Sequence, residues 1–155
     1  VRPRVGVLWG DNPAGTPARQ RSCTLRDLTV VLQTPGIEFY SLHPDDDPQA
    51  LLQGLRVVHP QALRRDQHDF GDMALLLSQF DLILTVDTAV AHLAGALGKL
   101  VWTLLSTAPA WCWQLEGDTT PWYPTMRLFR QSRHGDWAEV LSRVAQALAV
   151  CQQTS

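Results

Sequence analysis

Short apolar runs alternate with loops and helix-period segments along nearly the whole chain, and this alternation constrains the fold more than any other feature. Residues 5–9, Val-Gly-Val-Leu-Trp, read as a strand buried on both faces of a parallel sheet. A Gly/Pro-rich loop at 10–17 follows, and Ser22 to Thr24 then offer caps for a helix with Leu25, Leu28, Val31 and Leu32 on one stripe. Pro35-Gly36 ends that helix. Further strands are expected at 37–42, 56–59, 82–86 and 100–105, and helices at 49–55, 73–80 and 89–97. Residues 126–129 fit an edge strand, and 137–150, with Val140, Leu141, Val144, Ala147 and Leu148 on one face, fit a closing helix. Strands alternating with helices imply βαβ units. With right-handed crossovers, these build a Rossmann-like open parallel sheet with helices on both faces. No internal repeat breaks the pattern, so residues 1–155 are expected to form a single domain.

Composition narrows the function classes. A chain of 155 residues that is 45% hydrophobic can bury enough surface to fold without disulfide or metal staples. The formal net charge of −2 argues against a general nucleic-acid coat, so any anionic ligand must be held locally. Twelve of the 13 basic residues are Arg, the side chain that grips phosphate with two prongs, although codon usage produces the same skew. The three Cys (Cys23, Cys112, Cys151) are odd in number and lack CxxC spacing, so neither a zinc site nor a paired framework is expected, and reduced thiols point to the cytoplasm. No apolar run approaches the roughly 20 residues that cross a bilayer. Val1-Arg2-Pro3-Arg4 has no signal-peptide pattern, and the absence of an initiator Met reads as a piece of a longer protein.

In doubly wound sheets, ligands bind beyond the carboxyl ends of the strands. Three turns stand out there. The first is Asp87-Thr88-Ala89-Val90-Ala91-His92-Leu93-Ala94-Gly95-Ala96-Leu97-Gly98. Asp87 and Thr88 occupy the helix-cap position, which leaves the amides of Ala89, Val90 and Ala91 facing outward, the arrangement that binds phosphate. His92 follows one turn in. The same segment also fits an ordinary capped α/β helix with His92 as a hydrogen-bonded, half-buried histidine.

The second turn is the loop from Gly10 to Ser22. Gly10 permits close backbone approach, Asn12 offers a donor and an acceptor, and Arg21 beside a helix start can neutralise a diphosphate. A solvated loop carrying surface Arg is the alternative. No Gly-Lys-Ser/Thr ending is present, which excludes a Walker loop, and no GxGxxG, which disfavours a dinucleotide dehydrogenase. The third is Ser106 to Trp113 with Pro121-Trp122-Tyr123-Pro124, where Trp111, Trp113, Trp122 and Tyr123 form either a stacking wall for a base or sugar, or a hydrophobic plug. Asp45, Asp46 and Asp47 lack the Gly and Glu that complete a calcium loop. His43, His59, His68 and His134 have no metal-ligand spacing, and Ser106 is not in a nucleophile elbow.

Together these segments resemble glycosyltransferase family 9, the heptosyltransferases, and in particular the domains of that kind that follow tetratricopeptide repeats in bacterial proteins. The likeness is carried by residues 87–98, by Trp9, Asn12-Pro13 and Arg21-Ser22, and by Pro121-Trp122-Tyr123-Pro124-Thr125-Met126-Arg127-Leu128-Phe129-Arg130-Gln131. It implies the C-terminal, donor-binding half of a two-domain GT-B enzyme that transfers a sugar from a nucleotide diphosphate without a metal or other cofactor. Carried over by position, the backbone amides of Thr88, Ala89 and Val90 hold the diphosphate and Arg21 offsets leaving-group charge. Asp87, Gly10 and Asn12 line the same pocket, and His92 contacts phosphate or sugar. The acceptor, a glycan or a protein, and the catalytic base would belong to a missing N-terminal domain.

The chain departs from the family pattern at Leu100, where a Pro is common. It departs again at Ala110 and Cys112, which stand in place of two charged residues, and at His43, where a Lys is often found. These departures favour a rival reading, a non-catalytic Rossmann-like binding module that has lost the donor site. A nucleotide-sugar epimerase-like enzyme is a third possibility, and it would need carboxylates and a His around the sugar.

Overall fold

Among the described residues, six strands form one all-parallel sheet: β1 (Arg4–Leu8), β2 (Glu38–Ser41), β3 (Arg56–Val57), β4 (Leu82–Val86), β5 (Val101–Leu105) and β6 (Met126–Arg130). Their order across the sheet is β3-β2-β1-β4-β5-β6. The computed structural model describes residues 2–10, 22–42, 56–57 and 70–154. Between the strands run α1 (Thr29–Leu32), α2 (Phe70–Leu77) and α3 (Ala89–Ala96), and α4 (Trp137–Gln153) closes the chain.

Side chains alternate along each strand, and both faces are buried. Val5, Val7, Leu82, Leu84, Val86, Trp102 and Leu104 meet α1 and α4 through Leu28, Val31, Val140, Leu141 and Val144. On the other face, Ile83, Val101, Leu105 and Leu128 pack with Leu77, Ala91, Ala94 and Trp113. All five residues of β4 and of β5 are buried, as continuous apolar runs between two helical layers must be.

The expected doubly wound sheet is present, and β4 matches its predicted bounds. The first helix is shorter than its stripe suggests. The Asp27 carboxylate accepts from the amide and hydroxyl of Thr24, both at 2.8 Å, while the Asp27 amide donates back to the Thr24 hydroxyl at 3.2 Å. That reciprocal pair is a capping box that starts a turn at 25–28, whose bonds mix four- and three-residue spacing (Leu28 amide to Thr24 carbonyl, Thr29 amide to Arg26 carbonyl), and the β-branched Thr29, Val30 and Val31 add little propensity to lengthen the helix. The helix expected at 49–55 and residues 58–59 of the third strand lie outside the described residues.

The edge expected for 126–129 exists as β6, beside β5, and it is covered. Leu128 donates its amide to the Asp118 carbonyl at 2.7 Å. The Arg130 guanidinium gathers the carbonyls of Gln114 (3.0 Å), Glu116 (3.2 Å), Gly117 (2.7 Å) and Trp113. One side chain thus fastens the 113–117 segment along the last strand and blunts an otherwise open edge. Among the described residues, no helix is long and apolar enough to cross a membrane.

Candidate functional site

The chain reverses its winding direction between β1 and β4, and the two strands leave the sheet side by side. Leu8 pairs with Thr85, so Gly10 and Asp87 follow at the same level on neighbouring strands. This is the switch point at which open α/β sheets bind their ligands. At the β1 side the backbone turns back on itself: the Cys23 amide donates to the Trp9 carbonyl at 3.0 Å. Gly10 is buried, and an added Cβ would stand 3.2 Å from the Ser22 hydroxyl, so a larger residue there would require Ser22 to shift. Burial pushes the Cys23 thiol up to about 12, and Cys23 is a packing residue rather than a reactive one.

At the β4 side the helix cap is of an unusual kind. Thr88 has the extended backbone of an N-cap (φ −141°, ψ 170°), yet its side chain makes no capping bond to α3. Its hydroxyl instead meets the Thr85 hydroxyl at 3.2 Å inside the sheet, and Thr85 in turn donates to the Val86 carbonyl at 2.9 Å. The Ala91 amide bonds the Thr88 carbonyl at 3.1 Å. The amides of Ala89 and Val90 take no acceptor among the described residues. Two donors at the positive end of a helix are therefore left for an anion. Asp87 stands half-buried beside them. Burial, reinforced by the Asp87 carboxylate, pushes the Cys112 thiol up, and the 3₁₀ turn Trp111–Trp113 packs on α3 through Trp113, which shares a core cluster with Ala91 and Ala94.

His92 lies one turn further along α3 in a cage of aromatics. Its Nδ1 is 2.9 Å from the Tyr123 hydroxyl. Trp113 stacks on the imidazole with centroids 4.8 Å apart and planes 22° from parallel, and Tyr123 meets it edge-on at 5.8 Å. Tyr123 comes this close because Gly95 has no side chain: a Cβ there would sit 2.6 Å from the ring's Cγ and 2.8 Å from Cδ1. Gly95→Ala is accordingly expected to lower the unfolding free energy in urea by about 1–2 kcal/mol, since overpacking against a rigid ring outweighs the better helix propensity of Ala. An unchanged midpoint would mean that Tyr123 is free to move.

The structure thus brings Gly10, Asp87, Thr88, Ala89, Val90 and His92 to one end of the sheet. Asn12 and Arg21 lie outside the described residues, as do His43, His59, His68 and Asp45 to Asp47. The aromatic segment divides between its two sequence readings. Trp113 is 1% exposed and plugs the core, whereas Trp111 at 86% and Trp122 at 58% stand in solvent. Among the described residues no group of three His, Cys, Asp or Glu can hold a metal. A separate apolar cleft of about 560 Å³, lined by Pro3, Leu82, Leu100, Trp102 and Leu148, opens at the opposite, amino-terminal end of the strands. Sequence reasoning missed Tyr123 as the partner of His92. The signal was the bare Gly95 three residues after His92, which makes room for a ring.

Fold and site define a Rossmann-like α/β domain with an uncapped helix start at its switch point. No family model matches the sequence. The chain has a heptosyltransferase-like glycosyltransferase fold. It superposes on the ADP-heptose LPS heptosyltransferase II of E. coli with a TM-score of 0.60 and 16% identity, covering 98% of this chain and 48% of that one. It superposes on the E. coli heptosyltransferase WaaC, seen with ADP-2-deoxy-2-fluoro heptose, with a TM-score of 0.52 and 16% identity over 99% of this chain and 43% of that one. It is also 29% identical over 151 residues to Protein FlbA of Caulobacter vibrioides, covering 94% of this chain and 25% of that protein. The chain therefore spans a quarter of FlbA and just under half of each heptosyltransferase.

Proposed function

We propose that this chain is the donor-binding half of a glycosyltransferase, holding a nucleotide-diphosphate sugar at the end of β1 and β4. The observation that carries this reading is the pair of uncapped amides at Ala89 and Val90, left open because Thr88 turns its hydroxyl back to Thr85. A diphosphate gains most from such donors as the glycosidic bond breaks and charge builds on the leaving oxygen, so the same contacts that bind the donor favour transfer. A diphosphate brings further negative charge beside the half-buried Asp87, which favours a cation at the site. Arg21, which immediately precedes Ser22 in the chain, is the residue we assign to that role, and Asn12 is assigned to the same pocket. No metal is required in this scheme, because amides and a guanidinium divide the charge between them.

The chain covers 48% and 43% of the two heptosyltransferases it superposes on, which supports a second half that binds the acceptor and supplies the base. The acceptor would be a glycan or a protein. An arrangement behind tetratricopeptide repeats in a bacterial protein, and a cytoplasmic setting with reduced thiols, complete the proposal.

Calorimetric titration of the 155-residue chain with ADP, UDP and GDP tests it. Binding of at least one with a Kd at or below about 1 mM is expected. Failure of all three at that concentration would leave the non-catalytic module as the better account, with the Cys112 and Ala110 positions as the place where the donor site was lost.

A further inference from the structure

His92 is half-buried and has two ring nitrogens, of which Nδ1 alone has a partner among the described residues. That partner, the Tyr123 hydroxyl, makes no other hydrogen bond among the described residues. Donation by the phenol to Nδ1 places the imidazole proton on Nε2, whereas the reverse donation would place it on Nδ1. The rest of the cage is built to keep this geometry. Tyr123 lies against the bare backbone of Gly95, and its carbonyl is held by the Met126 amide at 3.2 Å at the entry to β6. Trp113 covers one face of the ring, and its own carbonyl is gripped by Arg130. Trp113 also keeps its indole N–H buried without a partner, a cost that native folds seldom accept away from working sites.

We infer that Tyr123 is a positioning residue of the donor site: it fixes His92 as the Nε2–H tautomer and, with Trp113, holds the ring so that His92 offers an uncharged N–H donor beside the helix start. The inference rests on the donor reading for what Nε2 meets, an oxygen of the phosphate or sugar, but the tautomer itself is a property of the free chain. A neutral donor suits a site where the helix-start amides already supply positive character. It also leaves His92 unable to accept a proton through Nδ1 while Tyr123 donates there.

The test is nitrogen-15 NMR of the imidazole at about pH 8, above the ordinary histidine range, in wild type and Tyr123→Phe, with an ADP titration of each. Wild type is expected to show an Nε2–H ring whose Nδ1 carries the signature of a hydrogen-bonded acceptor. Tyr123→Phe keeps the ring over Gly95. It is expected to shift Nδ1 to the free-lone-pair position, and to weaken ADP binding about fivefold, with the backbone spectrum elsewhere unchanged. A wild-type ring protonated on Nδ1 would overturn the positioning role, and needs no variant to be seen. So would a phenylalanine variant with the wild-type Nδ1 resonance and the wild-type ADP affinity. If wild type binds none of ADP, UDP and GDP, the donor reading falls, whatever the tautomer.

Discussion

Trp113→Ala is expected to lower the unfolding free energy by about 3–5 kcal/mol, the usual range for emptying a buried aromatic site. Trp113 heads the largest fully buried side chains and sits in the core layer with Ala91, Leu105, Met126 and Leu128. Its neighbours have little freedom to collapse into the space. Ala91 and Ala94 are too short to fill it, and the backbone of 113–117 is tied to β6 by Arg130. The loss should therefore fall toward the upper half of that range, measured by urea denaturation with the folded spectrum as control. Trp111→Ala, by contrast, removes a side chain that is 86% exposed and should change stability by no more than about 0.5 kcal/mol. Equal effects at the two positions would show that the aromatic segment is packed differently from this account.

The second large effect concerns binding. Arg21→Ala is expected to weaken ADP binding by about 1.5–3 kcal/mol, roughly 10- to 100-fold, the range for losing a hydrogen bond to a charged group. The expectation rests on placement: Arg21 precedes Ser22, which stands against Gly10 at the switch point, level with Asp87 on the neighbouring strand. Arg21→Lys should recover part of the loss, because a point charge replaces the Coulombic attraction but not the two-pronged hydrogen bonding. Arg26→Ala, which removes the same charge from an exposed position beyond the loop, serves as control. Calorimetric titration decides it, and an Arg21→Ala affinity equal to that of Arg26→Ala would remove Arg21 from the site.

Much of the architecture was legible because both faces of the sheet are covered. A strand buried on both sides writes itself as an unbroken apolar run, and Leu82 to Val86 could be read to the residue for that reason. Short helices were harder. The stripe from Leu25 to Leu32 has helical spacing and Thr24–Asp27 caps its start, but the backbone closes several of its bonds at three-residue spacing, Thr29 to Arg26 and Val31 to Leu28, so the first half stays as turns. The site showed the same division. Asp87-Thr88 following a strand announces a helix start, yet whether Thr88 caps that helix depends on Thr85, whose hydroxyl draws it into the sheet. Trp111, Trp113, Trp122 and Tyr123 look equivalent along the chain. They separate only when Arg130 pins the segment and Gly95 admits the tyrosine ring, contacts across 17 and 28 residues that no local pattern encodes.

The central claim is that the first-turn amides of α3 are held open for a diphosphate. Amide NMR of the chain titrated with ADP tests it most directly. The account predicts that the largest shifts fall on Thr88, Ala89 and Val90, with smaller ones at Gly10 and His92. Shifts confined to the apolar cleft at the other end of the strands, around Leu100 and Leu148, or no shift at Ala89 and Val90 at saturation, would contradict it.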